Sequence, residues 1–369
     1  MMPFFVLLLV VLGAPAEWAI FRGDRGLTGR AVEDCPEEPE LLWSFSVGQP
    51  IASSPVVAGG RVFFGADDGG LHCLALADGA ERWSFQTEDM VEAPPLVVGG
   101  RVFVGSSDGW FYAVDAESGS LLWKHETGAQ ILGSANWLPA REDRPLRVVV
   151  GSYDASLYCF EADGGKLLWT HATEDRLNGA PAVAGERIMI GGCDTVLHVV
   201  SGQDGRKLGE VPMGEACHIA ASVGVLDDRV YLGHYGNEFV CVDLKTEAIV
   251  WRYASSSQPF FSPPAIGAKV VLFGGRDKRV HCLDRETGEP LWTFPTRRKV
   301  DSAPLLAGDK VVVASGDGRL RILSVKDGRE LWSYDIGRPI YSSPALSDGK
   351  LLIGAADGRL YAFGDKPGR

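Results

Sequence analysis

Short hydrophobic runs separated by turns bearing glycine and aspartate recur along almost the whole chain. In the first unit, Ser53 to Val57 is followed by Gly59-Gly60, then Arg61-Val62-Phe63-Phe64, an Asp68-Gly69 turn, Leu71-His72-Cys73-Leu74, an Asp78-Gly79 turn and Glu81-Arg82-Trp83. Val, Phe, Leu and Trp suit the faces of a sheet, while Gly and Asp supply turn positions with positive φ. Each unit therefore predicts four short antiparallel strands.

Tryptophan marks the period, at Trp43, Trp83, Trp123, Trp169, Trp251, Trp292 and Trp332, with Gly209 where an eighth falls; the intervals run from 40 to 46 residues. Twelve residues after each marker comes Pro55, Pro95, Ala135, Pro181, Ala221, Pro263, Pro304 or Pro344. Ten residues before each marker from Trp83 onward lies a compact apolar position, held by Cys73, Ala113, Cys159, Val199, Cys241, Cys282 and Ile322, with Ala362 as its last equivalent. One such sheet cannot bury both faces alone, but like sheets packed radially around an axis can. The expected fold is all-β, an eight-bladed β-propeller of four-stranded antiparallel blades. The pattern begins with a Trp strand, Leu41 to Ser46, and ends after a third strand, Arg359 to Phe363. The first strand should therefore complete the last blade and remove its open edge. This divides the chain into an N-terminal lead-in (17–40), the propeller (41–363) and a short tail (364–369).

Composition agrees. Of 369 residues 46 are glycine, 46% are hydrophobic and 23% charged, the profile of a folded, turn-rich chain. The net charge of −12 has the wrong sign for holding phosphate backbones, so nucleic acid is not an expected partner. Phe4 to Leu12 is apolar and precedes Ala14-Pro15-Ala16, a small-x-small pattern of the kind cut by a signal peptidase. Residues 1–16 are thus expected to be a signal peptide, and the protein to be exported, periplasmic or secreted. The apolar run is too short to span a bilayer, and no cysteine follows it directly to carry a lipid. Among the seven cysteines, those that alternate with Ala, Val and Ile in the repeat read as small buried hydrophobes.

The segments Asp115-Ala116-Glu117-Ser118-Gly119-Ser120-Leu121-Leu122-Trp123 and Asp284-Arg285-Glu286-Thr287-Gly288-Glu289-Pro290-Leu291-Trp292 resemble the tryptophan-docking motif of pyrroloquinoline-quinone (PQQ) repeats. The opening Trp18-Ala19-Ile20-Phe21-Arg22-Gly23-Asp24 resembles the lead-in of exported PQQ-like proteins. The resemblance covers residues 18 to 363 and implies that the seven Trp residues are structural, each stacking between neighbouring blades. The family includes large dehydrogenases that carry PQQ with calcium, and smaller propellers without known catalysis, such as BamB-type outer-membrane assembly proteins. Compact blades and the lack of a Cys-Cys pair resemble the smaller group.

Ligands of a propeller usually sit on the face where each outer strand connects to the next inner strand. Counting nine residues from each marker, the positions expected at this mouth are Ala52, Glu92, Leu132, Asn178, His218, Phe260, Asp301 and Tyr341, with Arg176, Arg298 and Arg338 in the same connections. Carboxylate and amide oxygens suit calcium, and the resemblance allows a PQQ and calcium site on Glu92, Asn178 and Asp301 with Arg298. The plainer expectation is a polar mouth with Asp301 paired to Arg298 or Arg338. Cys217, His218 and His234 gather near one hairpin and are weak candidates for a metal, though without a recognised spacing. Arg22-Gly23-Asp24 matches an adhesion tripeptide but belongs to the lead-in. Motifs of hydrolases and nucleotide-binding enzymes are absent. The expected molecule is a non-catalytic, monomeric scaffold that binds a protein or ligand at its mouth; the alternative is a quinoprotein-like oxidoreductase.

Overall fold

Because each unit alternates sheet-forming runs with turn residues, its four strands pair in sequence order, each with the next. The computed structural model describes residues 17–254 and 257–365, so the signal-peptide segment 1–16 lies outside the described residues. Among these residues there are eight four-stranded antiparallel sheets. Blade one is Val56–Ala58, Arg61–Gly65, Gly70–Ala75 and Glu81–Gln86. Blades two to seven follow at 96–126, 136–172, 182–212, 224–253, 265–295 and 305–335. Blade eight is Ala345–Ser347, Lys350–Gly354 and Arg359–Gly364, completed by Glu40–Ser46 from the other end of the chain. Inner strands touch at six of the eight seams, Val56–Ala58 against Ala345–Ser347 among them, and the Ile131 and Ile340 amides bond the Ser106 and Ser315 carbonyls across the other two, so the ring is closed. This is an eight-bladed β-propeller.

The compact apolar position proves to be the cross-strand partner of the Trp: Cys73 faces Trp83, Ala113 faces Trp123, Cys159 faces Trp169 and Ala362 faces Trp43. A thiol there is a small buried group filling space beside an indole, and burial pushes the Cys73, Cys159 and Cys282 thiols up to about 12. Six of the seven indoles lie on the glycine of the next blade's outer turn, Trp43 on Gly79, Trp83 on Gly119, Trp123 on Gly165, Trp169 on Gly205, Trp251 on Gly288 and Trp292 on Gly328. These glycines have φ of 69–75°, and a Cβ on any of them would stand 2.5–2.7 Å from the ring. Only glycine meets both demands. The indole N–H donates to a carbonyl of that blade, as in Trp43 to Leu76, Trp123 to Ala162 and Trp292 to Val325 at 2.8–3.2 Å. Trp169 differs: the equivalent Gly202 carbonyl accepts from the buried Arg147 at 2.6 Å. Where Gly209 replaces the Trp, on the outer strand of blade four, the glycine opposite is also gone and the carboxylate of Glu247 reaches into that space.

The lead-in crosses the axis at the end of the inner strands away from the mouth. Its carbonyls accept from inner-strand amides of six blades: Trp18 from Val57, Ala19 from Val97, Arg25 from Val183, Gly26 from Val225, Thr28 from Ile266 and Gly29 from Leu306, all at 2.7–2.9 Å. Asn136 adds blade three by donating to the Arg25 carbonyl at 2.8 Å. One short segment therefore caps the channel and ties seven blades together. Arg22 is 1% exposed and donates to the Pro264 carbonyl at 2.7 Å. Burial pulls its guanidinium down to about 9, opposed by nearby Asp24, so it stays charged at neutral pH. Its burial removes the adhesion tripeptide from the surface.

Candidate functional site

The mouth is built from two positions in each blade. One is the residue that follows the buried start of the inner strand; the other precedes the turn between the second and third strands. The amide of the second position donates to the connection from the preceding blade: Asp67 to Pro50, Ser107 to Met90, Tyr153 to Gln130, Cys193 to Arg176, Tyr235 to His218, Arg276 to Pro259, Gly316 to Lys299 and Ala356 to Pro339. These bonds hold turn and connection together and fix which side chains converge.

The constant offset from the Trp fails in two blades. The inner strand of blade five begins at Gly224 and that of blade six at Ala265, two residues and one residue later than the repeat places them. The mouth positions there are Ala220 and Phe261 in place of His218 and Phe260. Phe260 is fully buried, its ring against Phe273 and His281 at 5.2 and 5.3 Å, so it is a core residue and not a mouth residue. His218 stays on the mouth face, in the connection, with Nδ1 bonded to the Cys193 carbonyl.

Three sectors result. On blades six to eight, Asp301 accepts from Arg276 at 3.0 and 3.2 Å and pairs with Lys299 at 2.6 Å. Arg298 and Arg338, the expected partners of Asp301, stand exposed at the loop tips instead. The Arg276 guanidinium lies 4.1 Å from the centre of the Phe261 ring, and Lys299 lies 5.6 Å from that of Tyr341. Tyr235 packs on Phe261 at 4.4 Å. Tyr235 and Tyr341 are 48% and 46% exposed. On blades three to five, the Tyr153 hydroxyl donates to Asn178 Oδ1 at 2.9 Å, and Asn178 Nδ2 donates to the Ala220 carbonyl at 2.8 Å.

The third sector, on blades one and two, is acidic. Burial, then Asp67 and Asp89, push the Glu92 carboxyl up, and burial with Asp68 does the same to Asp67. A carboxyl raised on folding stabilises the fold when protonated; that contribution is present below the ordinary value of 4.5 and is lost as pH rises through the raised value. Glu92→Gln is therefore expected to raise the melting temperature at neutral pH, with the gain vanishing below pH 4.5. Melts of both proteins across that range check it, and an equal gain at every pH would rule out the charge of Glu92 as the cause.

Of the metal candidates, Cys217 and His234 stay close together beside Gly236, while His218 turns away. His234 is fully buried, and its Nδ1 accepts from the Gly236 amide at 3.0 Å. In other blades the serine at this position, Ser106, Ser152 or Ser315, caps the same turn through its hydroxyl. Cys217 donates to the Glu215 carbonyl at 3.4 Å, and His218 turns to Cys193. No group of three or more His, Cys, Asp or Glu side chains among the described residues is arranged to hold a metal ion. The PQQ and calcium donor set fits no better. Asp301 is neutralised by two cations and the Asn178 oxygen is already an acceptor, which leaves Glu92 without oxygen partners of its own set.

Sequence counting missed Tyr153, Tyr235, Phe261 and Arg276. A signal for three of them was present, since Tyr153, Tyr235 and Arg276 each come directly before the turn residues Asp154, Gly236 and Asp277.

A closed ring of four-stranded blades, docked by Trp on Gly and capped by its own lead-in, defines a PQQ-repeat propeller. The chain belongs to the family of the outer membrane protein assembly factor BamB, whose model matches residues 36–144, 144–211, 193–273 and 258–369. BamB from Moraxella catarrhalis has a similar structure, at 20% identity over 90% of this chain and 99% of that one, with a TM-score of 0.74. The quinohemoprotein alcohol dehydrogenase from Comamonas testosteroni is similar at 12% identity over 95% of this chain and 80% of that one, TM-score 0.82. The computationally designed Ika8 protein is similar at 17% identity over 88% and 100%, TM-score 0.77. An assembly factor, an enzyme and a design share these blades, so the likeness shows the fold alone. Among curated proteins no sequence match is found. No helix among the described residues is long and apolar enough to cross a membrane.

Proposed function

We propose that the chain is an exported, non-catalytic scaffold that binds a protein partner through its mouth face, in keeping with the assembly-factor description of its family. The observation that carries this reading is the arc on blades six to eight. Phe261 and the exposed Tyr341 lie beside Arg276, Arg298, Lys299 and Arg338, on a chain whose net charge is −12. Tyr and Arg are enriched among the side chains that anchor protein interfaces. The oxygens an enzyme of the PQQ class needs are meanwhile engaged: Asp301 by Arg276 and Lys299, Asn178 by Tyr153. The arc is open and cationic, whereas two of the candidate oxygen donors, Asp301 and Asn178, are engaged within the protein.

The test is cross-linking in the source cell's envelope. The partner captured by the wild type should be lost with Tyr341→Ala and Arg298→Glu together, and kept with Arg101→Ala on the opposite face. Capture indifferent to the mouth pair would sink the reading. Calorimetry with PQQ, in calcium and in chelator, addresses the alternative: calcium-dependent binding abolished by Glu92→Ala would move the protein into the enzyme class.

A further inference from the structure

We infer that the mouth of blades three to five is a pocket for a small monocarboxylate with a flat apolar body, a site separate from the partner-binding arc. A cavity of about 340 Å³ lies there, lined by Tyr153, Arg176, Asn178, Cys193, His218 and Tyr235 among others. That is the size of a small-molecule site, for which about 300–1,000 Å³ is usual.

Neither mouth position keeps one residue type around the ring, and the cavity lies where aromatic and basic side chains coincide. The connection position, held by Pro50, Met90, Gln130, Pro259, Lys299 and Pro339 in other blades, carries Arg176 and His218 here. The turn position, held by Asp67, Ser107, Arg276, Gly316 and Ala356 in other blades, carries Tyr153, Cys193 and Tyr235 here. Blade five gains its two extra residues just here, and they put His218 into the connection instead of the inner strand.

Side-chain chemistry then selects the ligand. Asn178 is spent on Tyr153 and the Ala220 carbonyl, so it shapes the floor without offering a new bond. His218 donates through Nδ1 to the Cys193 carbonyl, so in the neutral ring Nε2 is an acceptor that offers a carboxylate no bond; the ring serves as a wall, meeting Tyr235 edge-on at 5.9 Å. The Arg176 guanidinium lies 5.7 Å from the centre of the Tyr153 ring. Its one ion pair, Nε to the adjacent Asp175 at 3.5 Å, is long and half exposed, and an exposed pair of that kind holds a side chain weakly. The terminal nitrogens of Arg176 are thus the charged donors of the pocket, in the planar geometry that matches a carboxylate. Tyrosine rings on two sides suit an apolar, planar body. Asp175 cancels one positive charge at the rim, which disfavours a polyanion such as phosphate.

Titration of the whole protein in a calorimeter with benzoate, acetate, benzyl alcohol and inorganic phosphate tests the site. Benzoate should bind about tenfold or more tighter than each of the other three. Arg176→Met should weaken benzoate about tenfold while leaving the melting temperature unchanged, because Arg176 is exposed. His218→Gln should weaken it less. No binding of benzoate, equal binding of phosphate or benzyl alcohol, or wild-type affinity in Arg176→Met would each overturn the inference. Any of these failures leaves the partner arc untouched, since that reading is probed at Tyr341 and Arg298.

Discussion

Deletion of Glu40–Ser46 is expected to abolish cooperative unfolding of the ring. That strand pairs with Arg359–Gly364 from Glu40 opposite Gly364 to Ser46 opposite Arg359, so its loss leaves blade eight with three strands and an open edge. The same strand carries Trp43, which lies on Gly79 and donates to Leu76 of blade one, and so closes the seam between the last and first blades. Losing that indole alone should cost about 3–5 kcal/mol. The inner-strand contact, the Ser343 amide bonded to Ser54 Oγ at 2.8 Å and the Ile51 amide bonded to the Ala355 carbonyl at 3.1 Å would still join the two blades, but no outer-strand clasp would. Calorimetric melting should change from one sharp transition to a broad or split one at lower temperature, with early proteolysis in blades one and eight. A deletion that melts like the wild type would show that closure does not hold the ring.

Gly29→Val should destabilise the protein by about 2–6 kcal/mol, the sum of two separate costs. Gly29 has φ +65°, and a β-branched residue held there costs about 1–3 kcal/mol. A Cβ at this position would also stand 1.7 Å from Nη2 of Arg22, and overpacking in a filled site costs about 1–3 kcal/mol more. Because the segment is bonded to six blades, it cannot slide aside without giving up those bonds. The clash makes a second, sharper prediction. In a double-mutant cycle, Arg22→Ala should relieve part of the cost of Gly29→Val, so the combined loss is smaller than the sum of the two. Strict additivity would mean that the two residues do not meet.

Strands, blade count and the closing strand were legible because they rest on local rules. Alternating apolar residues and Gly or Asp turns act within a few positions, and a repeat makes each unit confirm the next. The Cys73 position was readable for the same reason: whatever faces a Trp across one strand pair must be small. Glu247 was readable too, though unread, since the Trp and the glycine it rests on are lost together at Gly209.

The mouth was less legible. Counting from an outer Trp assumes connections of constant length, and two extra residues in blade five and one in blade six moved Phe260 into the core and replaced His218 with Ala220 at the inner strand. Asp301 found Arg276, on the turn of the neighbouring blade, in place of Arg298 or Arg338, which are closer as expected partners but point into solvent. Pairing across blades depends on where two loops end in space, and no spacing along the chain records that. The channel cap was invisible for a related reason. Trp18 to Ala31 gives one or two backbone bonds to each of six blades, so it has no period to detect, and the lead-in motif at Trp18 to Asp24 does not record where the segment runs. The amino-acid sequence by itself determined an eight-bladed ring, its Trp clasps and the strand that shuts it, because those follow from short-range alternation repeated many times. Tertiary structure alone decided which charged groups neutralise one another at the mouth, which face the solvent, and how the lead-in seals the far end, because these depend on distances between segments far apart in the chain.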